Sequence, residues 1–364
     1  MQRRTFLRQS AILGSGTALA LTSFAVDPVP QPAEDFITPE TDQAIQRGLA
    51  YLASSQSKDG AYSDRNGFGN VAVTALAGLA LLAGGHQPGR GQYGQAVSRC
   101  ADYILARGKA GKSGYLQNAD QFPTHGAMYQ HGFGALFLAE VCGTFPDPDR
   151  QKTMRDMLEK AVALTVKSQN KREGGWRYEP QPTTGDVSVT VAQLMALRAA
   201  KNAGVFIDKS VIDKCVEYIK ACRMPDGGYC YQRGQPATGS GFPRSAAAIV
   251  GLFSAGIYDG EDHKKYIEPG LKYLLKFLPN GRMRGNFDLR QDHYYYGQYY
   301  AALAMWTAGG NYWSEWFPAI RNELLTRRNG NTNVWDDLHG NAYATAMACI
   351  ILQLPNNYLP IMQK

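Results

Sequence analysis

The sequence predicts an all-α protein, an α/α toroid in which about six helical hairpins form a double ring. Three observations carry this. Helical hydrophobic periodicity runs from Thr41 nearly to the C-terminus, and almost nothing reads as a strand. Turn glycines recur at 60, 114, 175, 228, 281 and 330, roughly 50 to 60 residues apart, and an apolar helix follows each turn, the signature of a repeated hairpin. Finally, the last repeat ends apolar, at Ala346-Met347-Ala348-Cys349-Ile350-Ile351-Leu352. An open solenoid would carry a polar capping face there, so the ring is expected to close.

The N-terminus reads as an export signal. Arg3-Arg4-Thr5-Phe6-Leu7-Arg8 has a twin-arginine pattern, followed by the apolar run Ala11 to Ala25. That run is about 15 residues long, short of the roughly 20 a spanning helix needs. Residues 1–25 are therefore expected to be a signal peptide, 26–42 a Pro-rich acidic linker, and 43–364 the toroid. The expected location is the periplasm or cell envelope.

The first hairpin is Arg47 to Leu52, the turn Asp59-Gly60-Ala61-Tyr62, and the helix Val71 to Leu82. The second runs through Cys100 to Leu105, turns at Ser113-Gly114-Tyr115, and continues into a helix starting near His125. The third has the turn Gln169 to Tyr178 and the helix from Asp186 to Ala203. In the fourth, Lys214 to Ile219 precedes Asp226-Gly227-Gly228-Tyr229 and the helix Ser245 to Ala255. The fifth joins Pro269 to Phe277 with the aromatic helix Tyr294 to Ala308. The sixth has Ile320 to Arg327, a turn with Trp335, and the helix Ala342 to Leu354. Two prolines keep the tail from 355 to 364 from being helical throughout.

Composition excludes several classes. At 44% hydrophobic and 19% charged residues, the 364-residue chain can bury a large core. Removing the three leader arginines from the net charge of +7 leaves +4, with no dense basic stripe, so nucleic acid is excluded as a partner. The six cysteines make neither a disulfide framework nor a zinc signature, although a Cys222–Cys230 bridge could span one turn.

The segment Arg47-Gly48-x2-Tyr51-Leu52-x3-Gln56-x3-Gly60-x-Tyr62 resembles the QW repeat of squalene–hopene and oxidosqualene cyclases, with Tyr replacing the final Trp. Lys214-x3-Tyr218-Ile219-x3-Arg223-x3-Gly227-x-Tyr229 keeps the spacing with Arg for Gln, and Gln169-x5-Gly175-Trp176 is one residue longer. The similarity spans roughly residues 43–355 and resembles most closely exported bacterial proteins with squalene-cyclase or prenyltransferase repeats. The superfamily includes terpene cyclases and protein prenyltransferase β subunits. Physically, the glutamine is expected to bond backbone groups at the start of the next helix, and the glycine to supply a positive φ closing the first helix.

The resemblance implies a general acid in an Asp-x-Asp-Asp motif at the start of an inner helix. The matching text is Asp186-Val187-Ser188-Val189, which keeps the first Asp and lacks the acid pair. Asp186 is the candidate catalytic residue, with an N-cap as its structural alternative. A prenyltransferase-type zinc site is not expected, nor is any other metal or cofactor. Polar residues at inner-helix starts are the candidate ligand-cavity residues: His125, Tyr129, His131, Ser188 and Arg244, then Asp292, His293, Tyr296, Tyr299 and Tyr343. Aromatic faces there suit an apolar polycyclic ligand. The expected function is binding of an apolar isoprenoid or lipid in a central cavity, with terpene cyclase or mutase chemistry if the protein is active. A membrane surface is a compatible partner. The alternatives are a non-catalytic periplasmic binding or scaffold module, whose central cavity would be plugged, and a polysaccharide lyase or hydrolase on the same toroid.

Overall fold

The computed structural model describes residues 36–110, 113–118, 126–279, 293–332 and 334–363. His125, Asp292 and Gly281 lie outside them, as does the leader. Among the described residues, twelve helices of eight or more residues alternate between two rings. The outer ring is α1 (Pro39–Ser55), α3 (Gly94–Ala110), α5 (Pro148–Lys167), α7 (Lys209–Ala221), α9 (Glu268–Leu275) and α11 (Gly310–Thr326). The inner ring is α2 (Val71–Ala83), α4 (Ala127–Val141), α6 (Val187–Asn202), α8 (Phe242–Ser254), α10 (Tyr294–Ala308) and α12 (Asn341–Leu352). A π-helical turn, His263–Ile267, leads into α9.

Sequence explains the division. The outer helices are amphipathic, and three of them open on capping residues. Thr38 accepts from Thr41 N–H at 3.2 Å, Asp147 from Arg150 N–H at 2.7 Å, and Asp208 from Ser210 N–H at 2.8 Å. Helix α1 thus begins inside the segment expected as linker, and Phe36 before it is buried against Trp313 and Phe317. The inner helices are apolar on every side, as a helix enclosed by others must be.

Each inner helix packs on the next in the order α2, α4, α6, α8, α10, α12, and α12 returns to α2. Each outer helix lies against two consecutive inner ones, with α1 against α12 and α2 at the seam. The ring is therefore closed. At the seam Gln353 donates to the Ala80 carbonyl at 3.1 Å, and Arg321 to that of Phe36 at 2.9 Å.

The inter-hairpin turns work as joints, in a way that differs from the expectation. Gln56 leaves α1 in extended conformation and donates to the carbonyls of Gly60 at 3.0 Å and Ala96 at 3.1 Å. Gln169 donates to Gly174 at 2.8 Å and Val211 at 2.9 Å. Ala96 and Val211 are both third residues of the next outer helix, so the glutamine grips carbonyls there rather than free N–H groups. The positive-φ glycine of the third turn is Gly174, not Gly175. It does not close the helix. A Cβ on Gly60 or Gly174 would lie 2.3 Å from the carbonyl oxygen of Arg99 or Lys214, so glycine lets the turn press on the neighbouring helix. The turn aromatic points back: Trp176 and Trp335 donate at 2.8 Å to Thr165 and Leu324, and Tyr62 at 2.7 Å to Leu52.

Every inner helix is the second of its hairpin, so all six run in one direction and their N-termini form one mouth. The opposite end is stopped by the tail, which makes two short 3-10 turns, Leu354–Asn356 and Pro360–Met362. Arg198 of α6 donates to Gln363 O at 2.8 Å, Trp306 of α10 to Met362 O at 3.0 Å, and Ile361 N–H to Glu140 of α4 at 3.4 Å. Among the described residues no helix is long and apolar enough to cross a membrane.

Candidate functional site

The first turn of each inner helix holds a half-buried residue: Ala72, Tyr129, Ser188, Arg244, Tyr296 and Tyr343. Beyond that turn, stretches 73–83, 130–141, 189–197, 245–253, 297–305 and 344–352 are buried without exception. The half-buried positions of the described inner helices therefore gather at the mouth. Tyr129 of α4 and Tyr296 of α10 belong to helices that do not pack on each other, yet they meet edge to face at 6.4 Å. Below them Tyr299 and Tyr300 are 0% exposed.

Asp186 is the N-cap of α6, as the structural alternative held, its Oδ1 accepting from Val189 N–H at 3.0 Å. It is fully buried, and burial is the main cause raising its carboxyl above the usual range. Its Oδ2 makes no hydrogen bond. The Tyr231 hydroxyl is bonded to that of Tyr178 and also interacts with the Asp186 carboxylate. Arg177 lies over both tyrosine rings, 5.4 Å and 6.0 Å from their centroids, and donates to Thr184 at 2.7 Å. Among the described residues, no second carboxyl is one of the main groups that shift Asp186.

Ser188 joins the same cluster. Its carbonyl accepts from the Tyr296 hydroxyl at 3.3 Å, and its hydroxyl reaches Tyr129. Burial, chiefly, drives the Tyr129 and Tyr296 hydroxyls well above the ordinary phenol range, with Asp186 adding to it, so both stay protonated donors. Tyr300 packs on Tyr296 in a tilted pair at 4.7 Å and carries the cluster toward Tyr343. Beside Tyr343, His339 lies 5.4 Å away edge-on and 5.8 Å from His293 in a stacked pair. Burial first, then the neighbouring His293, lowers the pKa of His339.

The structure brings together Asp186, Ser188, Tyr129 and Tyr296, with Tyr343 and His293 alongside. Three predicted positions do other work. The ring of His131 points to the outer helix α5: Nδ1 accepts from Leu116 N–H at 3.2 Å, and Nε2 lies 3.0 Å from Thr165 Oγ1. Burial lowers its pKa to about 4, so it is a neutral wall residue. Arg244 binds the carbonyls of Tyr229, Thr238 and Gly239 and holds a rim loop. Tyr299 lies beneath the mouth, near Glu140. Sequence reasoning missed Tyr178 and Tyr231, although a signal existed. Each follows its turn aromatic by two residues, in Trp176-x-Tyr178 and Tyr229-x-Tyr231.

The Asp-x-Cys spacing of a prenyltransferase zinc site does occur, at Asp213–Cys215. It lies on the outer helix α7, where Asp213 is exposed and paired with Lys209 while Cys215 is buried. Among the described residues no group of His, Cys, Asp and Glu could hold a metal ion.

No family model matches the chain, and no curated protein matches it by sequence. Solved structures do. The type II terpene cyclase MstE from Scytonema superposes with a TM-score of 0.58 at 15% identity, covering 88% of this chain and 100% of that one. The α-1,6-mannanase GH76A of Salegentibacter gives 0.59 at 9%, covering 87% and 99%. Cellobiose 2-epimerase from Bacillus thermoamylovorans gives 0.60 at 12%, covering 89% and 99%. The fold is thus that of terpene cyclases and of several carbohydrate-active enzymes alike: the chain is an α/α toroid.

Proposed function

We propose that the toroid mouth binds a hydroxyl-bearing ring ligand of the saccharide class. One observation carries this reading: at the mouth, the first turns of four inner helices present half-buried Tyr129, Ser188, Tyr296 and Tyr343. A sugar ring offers an apolar C–H face to stack on an aromatic ring and an edge of hydroxyls. Tyr129, Tyr296 and Tyr343 supply faces and donors, with the buried Asp186 behind them. Toroids solved as a mannanase with α-1,6-mannotriose and as a cellobiose 2-epimerase lend support at the level of fold. Hydrolysis by paired carboxylates is not part of the proposal, because Asp186 has no partner acid among the main groups acting on it.

The isoprenoid reading keeps one support besides the repeat resemblance. The column Tyr129, Tyr296, Tyr300 runs from the mouth toward the axis, and parting the first two would open an aromatic channel. Export to the periplasm or cell envelope belongs to the proposal as well and rests on the Arg3-Arg4 leader.

The test is calorimetric titration of the purified protein with α-1,6-mannotriose, cellobiose and related oligosaccharides, and separately with squalene and linear prenyl substrates. Saccharide binding that is lost in Tyr296→Ala sustains the first reading. Binding of prenyl substrates alone transfers the site to the second, and product formation abolished by Asp186→Asn would make it catalytic. Binding of neither class overturns both.

A further inference from the structure

One cysteine pair stands apart from the other four. Cys222 is the C-cap of α7, and Cys230 lies on the returning leg of the turn that follows. The two legs pair as an antiparallel bridge between Arg223 and Tyr229, closed inside by Met224 N–H to Gly228 O at 2.8 Å. One step outward, Cys230 N–H donates to Cys222 O at 2.9 Å, which sets the two cysteines directly across from each other. The Cys230 thiol donates to the Gln232 carbonyl at 3.2 Å, and the thiols of Cys222 and Cys230 influence each other's ionisation. Cys100, Cys215 and Cys349 are buried singly on helices, and Cys142 lies half-buried beside Arg155.

We propose that Cys222 and Cys230 form a reversible disulfide that staples the rim loop of the mouth to the end of α7. The chemistry of the pair is asymmetric. The neighbouring Cys222 thiol is the main cause lowering Cys230 to about 7, with Arg244 adding to it, whereas Cys222 is held strongly protonated. Cys230 is therefore the attacking thiolate, and being 3% exposed it acts when the turn opens locally. It attacks one sulfur of a disulfide oxidant such as oxidised glutathione, forming a mixed disulfide and expelling one glutathione thiolate. Cys222 then loses its proton and attacks the Cys230 sulfur, expelling the second. Two protein thiols are oxidised and one external disulfide is reduced to two thiols.

The bond would act on the mouth through the chain just beyond it. Tyr231 joins Tyr178 beside Asp186, and Gln232 donates to Gly185 O at 2.9 Å and Thr184 at 3.3 Å. Closing the turn covalently fixes the leg on which both residues ride.

The test is to equilibrate the folded full chain in glutathione buffers of graded redox poise, unfold it in an alkylating reagent, and map the peptides by mass spectrometry. The expected result is a Cys222–Cys230 peptide lighter by two hydrogens under oxidising conditions, reversed by dithiothreitol, with the other four cysteines alkylated. The oxidised form should melt a few degrees higher, and Cys222→Ser or Cys230→Ser should abolish that difference. Alkylation of all six cysteines at every poise would overturn the proposal. So would a bridge joining other cysteines. Because the peptide map uses the wild-type chain, it decides the matter even if neither serine variant folds.

Discussion

Tyr129 and Tyr296 touch across the ring, 6.4 Å between centroids, although their helices do not pack on each other. This contact bridges the mouth end of the ring. Tyr296→Ala should cost about 2–3 kcal/mol, less than a fully buried aromatic, read as a lower urea midpoint. It should also let the native protein take up an apolar dye such as anilinonaphthalene sulfonate. Unchanged dye binding would mean that the rings do not guard the axis.

Gln169 ties its own turn to the third residue of α7 through two hydrogen bonds. Gln169→Ala should lose about 1–2 kcal/mol. Gly174→Ala should lose more than about 2 kcal/mol, since φ is +86° and the added methyl meets the Lys214 carbonyl. Thermal melts of both variants check the order.

Glu140 and His131 should bend the pH profile in opposite directions. Burial raises Glu140 from 4.5 to about 7, so the folded state holds its proton longer and stability falls as pH rises through that window. Burial lowers His131 from 6.5 to about 4, so stability rises with pH between those values. Each effect is on the order of 3 kcal/mol, and the two largely offset between pH 4.5 and 6.5. Glu140→Gln should therefore expose a steep gain on raising the pH, and His131→Asn a loss. Parallel profiles for wild type and both variants would refute this.

Asp186 has a similar sign to Glu140, because its folded carboxyl is also raised. Its contribution is full at low pH and is lost as pH rises above about 4, the ordinary value. Asp186→Asn keeps a cap acceptor for Val189 and removes the buried charge, so it should stabilise the protein at neutral pH. Asp186→Ala lacks the cap and should lie about 1 kcal/mol below Asn. Denaturant melts at two pH values separate the variants.

The double ring was legible because its signals are local. Apolar-all-round segments such as Ala344 to Leu352 mark inner helices, and glycine turns mark the joints. Even there the register slipped by one residue, since a Gly174-Gly175 pair does not reveal which member takes the positive φ. The site was less legible. Tyr129, Ser188 and Tyr296 were found from their place at helix starts, and so was His131, yet one turn along the helix its ring faces α5 instead. That Tyr129 meets Tyr296 depends on side chains reaching across a ring, between residues some 170 positions apart in the chain. No local pattern encodes such a contact.

The seam between α12 and α2 sets the order in which the protein can assemble. Gln353 and Ala80 are 273 residues apart, and until they meet the apolar faces of α1 and α2 have no partner on that side. Five joints can form as the chain lengthens, because each involves consecutive hairpins. The sixth waits for the last helix, whose tail then stops the far end. Such a ring is long-range in its slowest step, so folding should be limited by closure rather than by helix formation. A chain ending before α12 would display an apolar groove, and a second copy's terminal hairpin could fill it by exchange.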